Sequence, residues 1–359
     1  MKKKIIGILV CMMLMSTVLT VAKNDEKGST KPQQNSQTAV LFRDNVTVPI
    51  WKVGDYWNYQ IQTIVIDIEM EGFLAHMALW TDKISLEVVD DSGDFYTLEI
   101  NATINGNGYI NMDFGDGPIN ITGELKDTML TGAILFDKSD LAIKHLDVTL
   151  YGDIKLNIIQ NPYIPIDIPI DIPATINASF DSSVPYPLIE FPLNVNNTWG
   201  LPATNISVDG AIKSPWLNAM NRLNNFAQKH WTLVELILRL LNKLKIFPYI
   251  EPALLKNISD ILFDLLPIIH IRYMLTKYVG IEPVFPFPAV PDILFCNNTE
   301  NMTIKDKTFF VYNISVAGGM GNMYYAPEAG NIVKIVGRFK DIIPFITDFN
   351  AELIDYHYP

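Results

Sequence analysis

The sequence predicts an α+β protein that is mainly β, with antiparallel strands in two related units and a helical hairpin inserted in the second. Three observations carry this. Residues 46–160 alternate apolar and polar side chains in short runs separated by Asp, Asn and Gly, the period of half-buried strands. Residues 217–247 contain no Pro or Gly and place Leu, Val and Ile at helical spacing. From residue 302 onward the β pattern returns.

Lys2, Lys3 and Lys4 open the chain. Residues 5–21 then form an apolar run interrupted only by Gly7, Ser16, Thr17 and Thr20. Thr20 and Ala22 are small residues placed for cleavage after Ala22. This is the layout of a secretory signal peptide, so residues 1–22 read as a signal and the protein as secreted or displayed on the extracellular cell surface. A retained anchor would need about 20 apolar residues, more than the uninterrupted run supplies. Ile8, Leu9 and Val10 before Cys11 lack the small residues of a lipidation site. Residues 23–44 are polar and read as a flexible linker.

The first β unit spans 45–190. Residues 58–69, 84–90 and 95–104 alternate as strands, with Asp90, Asp91, Ser92, Gly93 and Asp94 as a turn between the last two. Asn105, Gly106, Asn107 and Gly108 read as another turn, as does 113–117. Strands follow at 131–136, 141–149 and 153–159. Pro162, Pro165, Pro169 and Pro173 then punctuate a run of Ile and Asp. Proline lacks a backbone donor, so 160–192 reads as a connector or an edge segment rather than an interior strand.

The second unit spans 191–359 and contains the helical insert at about 215–280. Its first helix puts Leu233, Ile237, Leu240 and Leu244 on one face and Glu235, Arg239 and Lys243 on the other. A second helix, at about 252–266, carries Ile261 and Leu265 opposite Lys256, Asp260 and Asp264. These two apolar faces are predicted to cover an open sheet face, with Leu233, Ile237, Leu240, Leu244, Ile261 and Leu265 lining whatever hollow remains. Taken over both helices, the polar stripes mix acids and bases, unlike a helix lying on an anionic membrane. Strands follow at 302–317, 321–326, 331–338 and 350–358. The two units echo each other: Pro49-Ile50 leads to Val53 and Trp57, and Pro192-Leu193 to Val195 and Trp199, each with the spacing Val-x-x-x-Trp.

The formal net charge is −12, and loss of the three signal lysines takes it to −15. Such a chain repels nucleic acid. Beyond the signal, Cys296 is the one cysteine, so no internal disulfide forms. Ten Asn-x-Ser/Thr sequons occur, at Asn45, Asn101, Asn120, Asn177, Asn196, Asn205, Asn257, Asn297, Asn301 and Asn313. Chance alone gives roughly three among this many asparagines. With export, a plain Lys-rich signal and no disulfide, the excess fits a glycosylated archaeal cell-surface protein; the alternative is an Asn-rich composition.

Three stretches carry a family resemblance. They are Trp51-x-x-Gly54-Asp55-x-Trp57-x-Tyr59; the run from Gly132 through Asp137, Lys138, Ser139 and Asp140 to Leu141; and Thr308-Phe309-Phe310-Val311-Tyr312 with the hairpin at 324–334. Together they resemble exported β half-barrel domains of the LolA/LppX-like lipoprotein carrier family. The resemblance implies curved, half-barrel-like sheets around a hydrophobic hollow, and in some members lipid binding. The helical insert and the proline repeats depart from the family.

No Gly-x-Ser-x-Gly, His-Glu-x-x-His or phosphate-loop pattern is present. His76, His145, His230, His270 and His357 stand apart from one another and from Cys296, so no zinc site is predicted. Asp90, Asp91 and Asp94 read as a turn before they read as calcium ligands. Trp51, Trp57 and Trp199 read as core before sugar platforms. No cofactor is expected. The leading expectation is an exported, non-catalytic binding or carrier protein with an apolar cavity for a lipid or other hydrophobic small molecule. The alternatives are a structural or adhesive envelope glycoprotein contacting other cell-envelope components, and a carboxylate-dependent hydrolase.

Overall fold

The computed structural model describes residues 46–70, 73–113, 118–159, 168–215, 219, 222, 225, 226, 229–244, 268–274, 276, 283–316, 321–339 and 346–359. The expected signal and linker at 1–44, Asn45 and Asn257, and the expected second helix at about 252–266 with Ile261 and Leu265 lie outside these residues. The protein is mainly β. Its strands are β1 (Tyr56–Met70), β2 (Phe73–Asp90), β3 (Phe95–Asp113), β4 (Pro118–Asp137), β5 (Ile143–Ile159), β6 (Ile168–Tyr186), β7 (Thr198–Leu201), β8 (Thr204–Lys213), β9 (Ile268–His270), β10 (Val284–Phe287), β11 (Val290–Ile304), β12 (Lys307–Val316), β13 (Gly321–Ala326), β14 (Asn331–Gly337) and β15 (Ile346–His357). The described helical elements are α1 (Trp231–Leu244) and the single turn α2 (Ile271–Met274), and residues 215, 219, 222, 225, 226 and 229 ahead of α1 are helical as well.

All fifteen strands belong to one sheet, in the order β10-β8-β6-β5-β4-β3-β2-β1-β15-β14-β13-β12-β11-β7, with β9 on β8. Every pairing is antiparallel. The connections show that the sheet curls. β7 and β8 stand near opposite ends of the order, yet only residues 202 and 203 separate Leu201 from Thr204. Two intervening residues span at most about 11 Å between those Cα atoms. The link from β10 to β11 is equally short and also joins the two ends. Among the described residues no strand pairing joins β7 to β8 or β10, so the sheet is bent round without closing.

β4 is 20 residues long, about 66 Å at the usual rise of an extended chain. Two strands run through sites where the sequence suggests breaks. Asn105, Gly106, Asn107 and Gly108 lie inside β3, not in a turn. Their glycines serve close approach: a Cβ on Gly106 would sit 1.7 Å from Leu79 Cδ2, and one on Gly108 2.5 Å from the His76 carbonyl. The two segments expected at 141–149 and 153–159 are one strand, β5.

The proline-rich segment also differs from its expected role. β6 lies between β5 and β8 and is not an edge over its whole length. Its pairing with β8 covers only Thr175 to Ser182, whereas Pro169 and Pro173 pair with β5 alone. Residues 169 and 173 have the same parity, so their backbones face the same neighbour. The proline rule therefore holds locally: the missing donors fall where β6 has no second partner among the described strands.

Three apolar clusters form the core. The first joins Ile64 and Ile66 of β1 to Trp199, Leu294, Ile314, Met323 and Ile346. The second lies on β2–β6 and β8. The third joins Trp51, Trp57, Tyr96 and Leu98 to Phe309, Val311, Ala329 and Val333. β12 is buried on both faces, with Phe309 and Val311 in the third cluster and Tyr312, Ile314 and Val316 in the first. This explains its nearly continuous apolar run.

Candidate functional site

The strand register sorts β2–β6 and β8 into rungs, each crossing six strands. One rung is Val88, Leu98, Ile134, Leu146, Phe180 and Val208. The next on the same face is Leu86, Ile100, Gly132, Val148, Ala178 and Gly210, and the third is Ile84, Ala102, Leu130, Leu150, Ile176 and Ile212. Every position is apolar or glycine. Between them run rungs of the opposite face, such as Glu87, Glu99, Ala133, Asp147, Ser179 and Asp209. Successive side chains of a strand point to opposite faces, so one face is oily across six strands and the other is mostly polar.

This apolar face is not uniformly filled. Ile100, Leu130, Val148, Leu150, Ile176 and Ile212 are buried, but Ile134, Leu146, Phe180 and Val208 are only partly so. The middle rung is narrow in side-chain volume because Gly132, Ala178 and Gly210 stand where larger residues flank them. The arrangement offers dispersion contact and an escape from water to an apolar molecule, with no charge on the three rungs.

Of the residues predicted to line a cavity, Leu233, Ile237, Leu240 and Leu244 are described. Leu233, Ile237 and Leu240 are on α1 and are about half exposed, at 49%, 48% and 57%. Leu244 ends the same helix. The sheet-borne surface was not singled out from sequence, although its signal is present: the apolar members of β3 to β6 alternate strictly, as in Leu98, Ile100, Ala102 and Ile104.

Polar clusters occupy the other face. His145 Nδ1 lies 2.6 Å from Asp181 Oδ1, and its Nε2 lies 2.8 Å from Asp147 Oδ2. Burial pulls the His145 pKa down, but the hydrogen bonds and charges of Asp147 and Asp181 outweigh it and leave the pKa raised. Burial pushes Asp147 up, and hydrogen bonds from His145 and Ser179, with the His145 charge, outweigh that and hold it low. Thr347 Oγ1 donates to Asp67 Oδ2 at 2.6 Å, and Asp67 Oδ1 meets His76 Nδ1 at 2.7 Å. The threonine thus donates to the acid, not to the histidine, which is the reverse of an activated nucleophile.

The Asp90 turn is held by its own chain. Ser92 donates its backbone N–H and its hydroxyl to Asp90 at 2.9 and 3.0 Å. Lys138 donates its backbone N–H to the Asp94 carbonyl, and its ammonium to the Asp91 carbonyl. Among the described residues no group of three His, Cys, Asp or Glu is arranged to hold a metal.

Trp51, Trp57 and Trp199 are buried. Cys296 lies on β11 in the first core cluster, and burial pushes its thiol up to about 11. Of the sequon asparagines, Asn101, Asn196, Asn205, Asn297 and Asn301 are exposed, whereas Asn120, Asn177 and Asn313 are half-buried. His270 is exposed at the end of β9.

Fold and surface together define a mainly β protein built on one large, bent antiparallel sheet with an apolar face. Comparison with protein-family models, curated proteins and solved structures finds no match to this chain.

Proposed function

We propose that this is an exported, non-catalytic binding or carrier protein that holds a lipid or another hydrophobic molecule against the apolar face of β2–β6 and β8. The observation that carries the reading is the trio of uncharged rungs with Ile134, Leu146, Phe180 and Val208 left partly exposed. A half-barrel-like curvature makes that face a trough, in keeping with the resemblance to the LolA/LppX-like carriers. Two related β units support the same architecture. Trp57 and Trp199 are each the second residue of their strand, and both are buried. A helical hairpin at 215–280, of which α1 is one arm, completes the proposed design.

The test is direct binding of a fluorescent fatty-acyl probe by the protein beginning at Lys23. Phe180→Glu and Val208→Glu place a carboxylate on the partly open rung, where a change of residue least disturbs the buried rungs. Each is expected to weaken binding at least tenfold while the far-ultraviolet circular dichroism stays that of the wild type. Probe binding that is absent, or unchanged in both variants, overturns the reading.

A second reading is a glycosylated structural or adhesive component of the envelope. It is favoured by Asn101, Asn205, Asn297 and Asn301, which are exposed on strands of the sheet. Glycan-site mapping together with an empty sheet face in protein from its own host would support it over the carrier.

A further inference from the structure

We propose that α1 docks the protein on an anionic lipid bilayer, its apolar stripe inserted at the headgroup boundary. The stripe consists of Leu233, Leu236, Ile237 and Leu240, which are 48–61% exposed. Successive helical residues turn by about 100°, so these four fall within one sector of the helix. Leu residues so exposed on a helix that folding leaves bare need a partner, and water is a poor one. Phe226, just before α1, is 53% exposed as well.

Charge selects the partner. The whole chain carries a formal −12. Residues 222–244 reverse that sign, with Arg222, Lys229, Arg239 and Lys243 against Glu235 alone. All four basic residues are exposed. Two of the three acids in the mixed charge over both predicted helices, Asp260 and Asp264, belong to the second, so the first is a basic island on an acidic protein. Glu235 accepts from Arg239 at 2.6 Å, which leaves Arg222, Lys229 and Lys243 outside that ion pair. An apolar stripe of Leu and Ile flanked by Lys and Arg is the composition of a helix that lies in the membrane interface and prefers anionic headgroups. A second copy of this acidic chain would complement the basic residues but would also have to bury the stripe. The inference rests on residues 222–244 alone and holds whether or not the sheet carries a ligand.

The test uses the protein beginning at Lys23 and sedimentation with vesicles of phosphatidylglycerol or of phosphatidylcholine. Binding to phosphatidylglycerol vesicles is expected at least tenfold above that to phosphatidylcholine and should weaken with salt. Leu236→Glu with Leu240→Glu should abolish it, and Lys243→Glu should lower it on phosphatidylglycerol only. As a second readout, Leu236→Cys carrying an environment-sensitive dye should shift to the blue on those vesicles, with buried Cys296 left unlabelled. No sedimentation with either vesicle, binding that survives the double substitution, or a dye that does not shift would each overturn the proposal. So would a concentration-dependent dimer that the double substitution dissolves, in protein that ignores vesicles.

Discussion

The indole N–H of Trp57 donates to the main-chain carbonyl of Ala329 at 2.6 Å, across 272 residues of sequence. It fastens β1 to the turn between β13 and β14. Trp51 does the same to Gly330 at 3.0 Å, and the Tyr59 hydroxyl donates to the Ile332 carbonyl at 2.8 Å. Phe136 meets Trp51 edge-on at 5.4 Å. The three stretches on which the family resemblance rests therefore meet in one core cluster. Replacing Trp57 by Phe keeps most of the volume and strands a buried carbonyl, at a cost of about 1–3 kcal/mol. Trp57→Ala adds a cavity and should cost about 3–5 kcal/mol. Chemical denaturation of the two variants checks both figures; a Trp57→Ala protein as stable as wild type would show the lock to be idle.

Close packing of β4 on β5 depends on Gly132. A Cβ there would lie 2.2 Å from the Asp147 carbonyl oxygen, a backbone atom that cannot swing aside. Gly132→Ala should therefore destabilise by about 1–3 kcal/mol through strain, despite the better strand propensity of alanine. Gly93, with open space around its Cβ position but φ +67°, provides a contrast: any cost of Gly93→Ala comes from its backbone conformation alone. Equal m-values in denaturant would show that both substitutions change stability and leave the compactness of the denatured state unaltered.

The strands were legible wherever alternation and turn residues agreed, as at Asp90 through Asp94. Reading failed where one residue type served two purposes. Gly106, Gly108 and Gly152 mimic turns but sit in long strands because a neighbour comes close. Pro169 and Pro173 mimic a break but tolerate pairing on one side. The apolar rungs were present residue by residue, but a rung exists only through register, which links Leu98 to Ile134, Leu146 and Phe180 across 82 positions of sequence. The helical face drew attention first because Leu233, Ile237 and Leu240 form their pattern within a single segment.

His145 gives the outer face a pH dependence. Its pKa is raised above the ordinary 6.5 in the folded protein. Stabilisation by the imidazolium is thus full below about pH 6.5 and is lost as the pH rises through the raised value. Asp147 is held low, so its share is present above the ordinary carboxylate range and lost in acid. Melting temperature should fall between pH 6 and pH 8 in wild type, and this fall should flatten in His145→Gln. Parallel profiles for the two proteins would remove the His145 cluster as its source.

Cys296 reports on the fold. With its thiol buried and its pKa pushed up to about 11, almost no thiolate is present near pH 8. Alkylation at that pH should be at least a hundredfold slower in native protein than in urea. Rapid labelling without denaturant would place β11 outside the core.

The central claim is that the apolar rungs of β2–β6 and β8 hold a hydrophobic molecule. Native mass spectrometry of protein purified from its own host measures this most directly. The account predicts a mass excess that disappears on organic extraction, is recovered as a lipid or other apolar compound, and is lost in Phe180→Glu. Wild-type protein at the mass of the bare or merely glycosylated chain, unable to take up an added fatty-acyl compound, would contradict it.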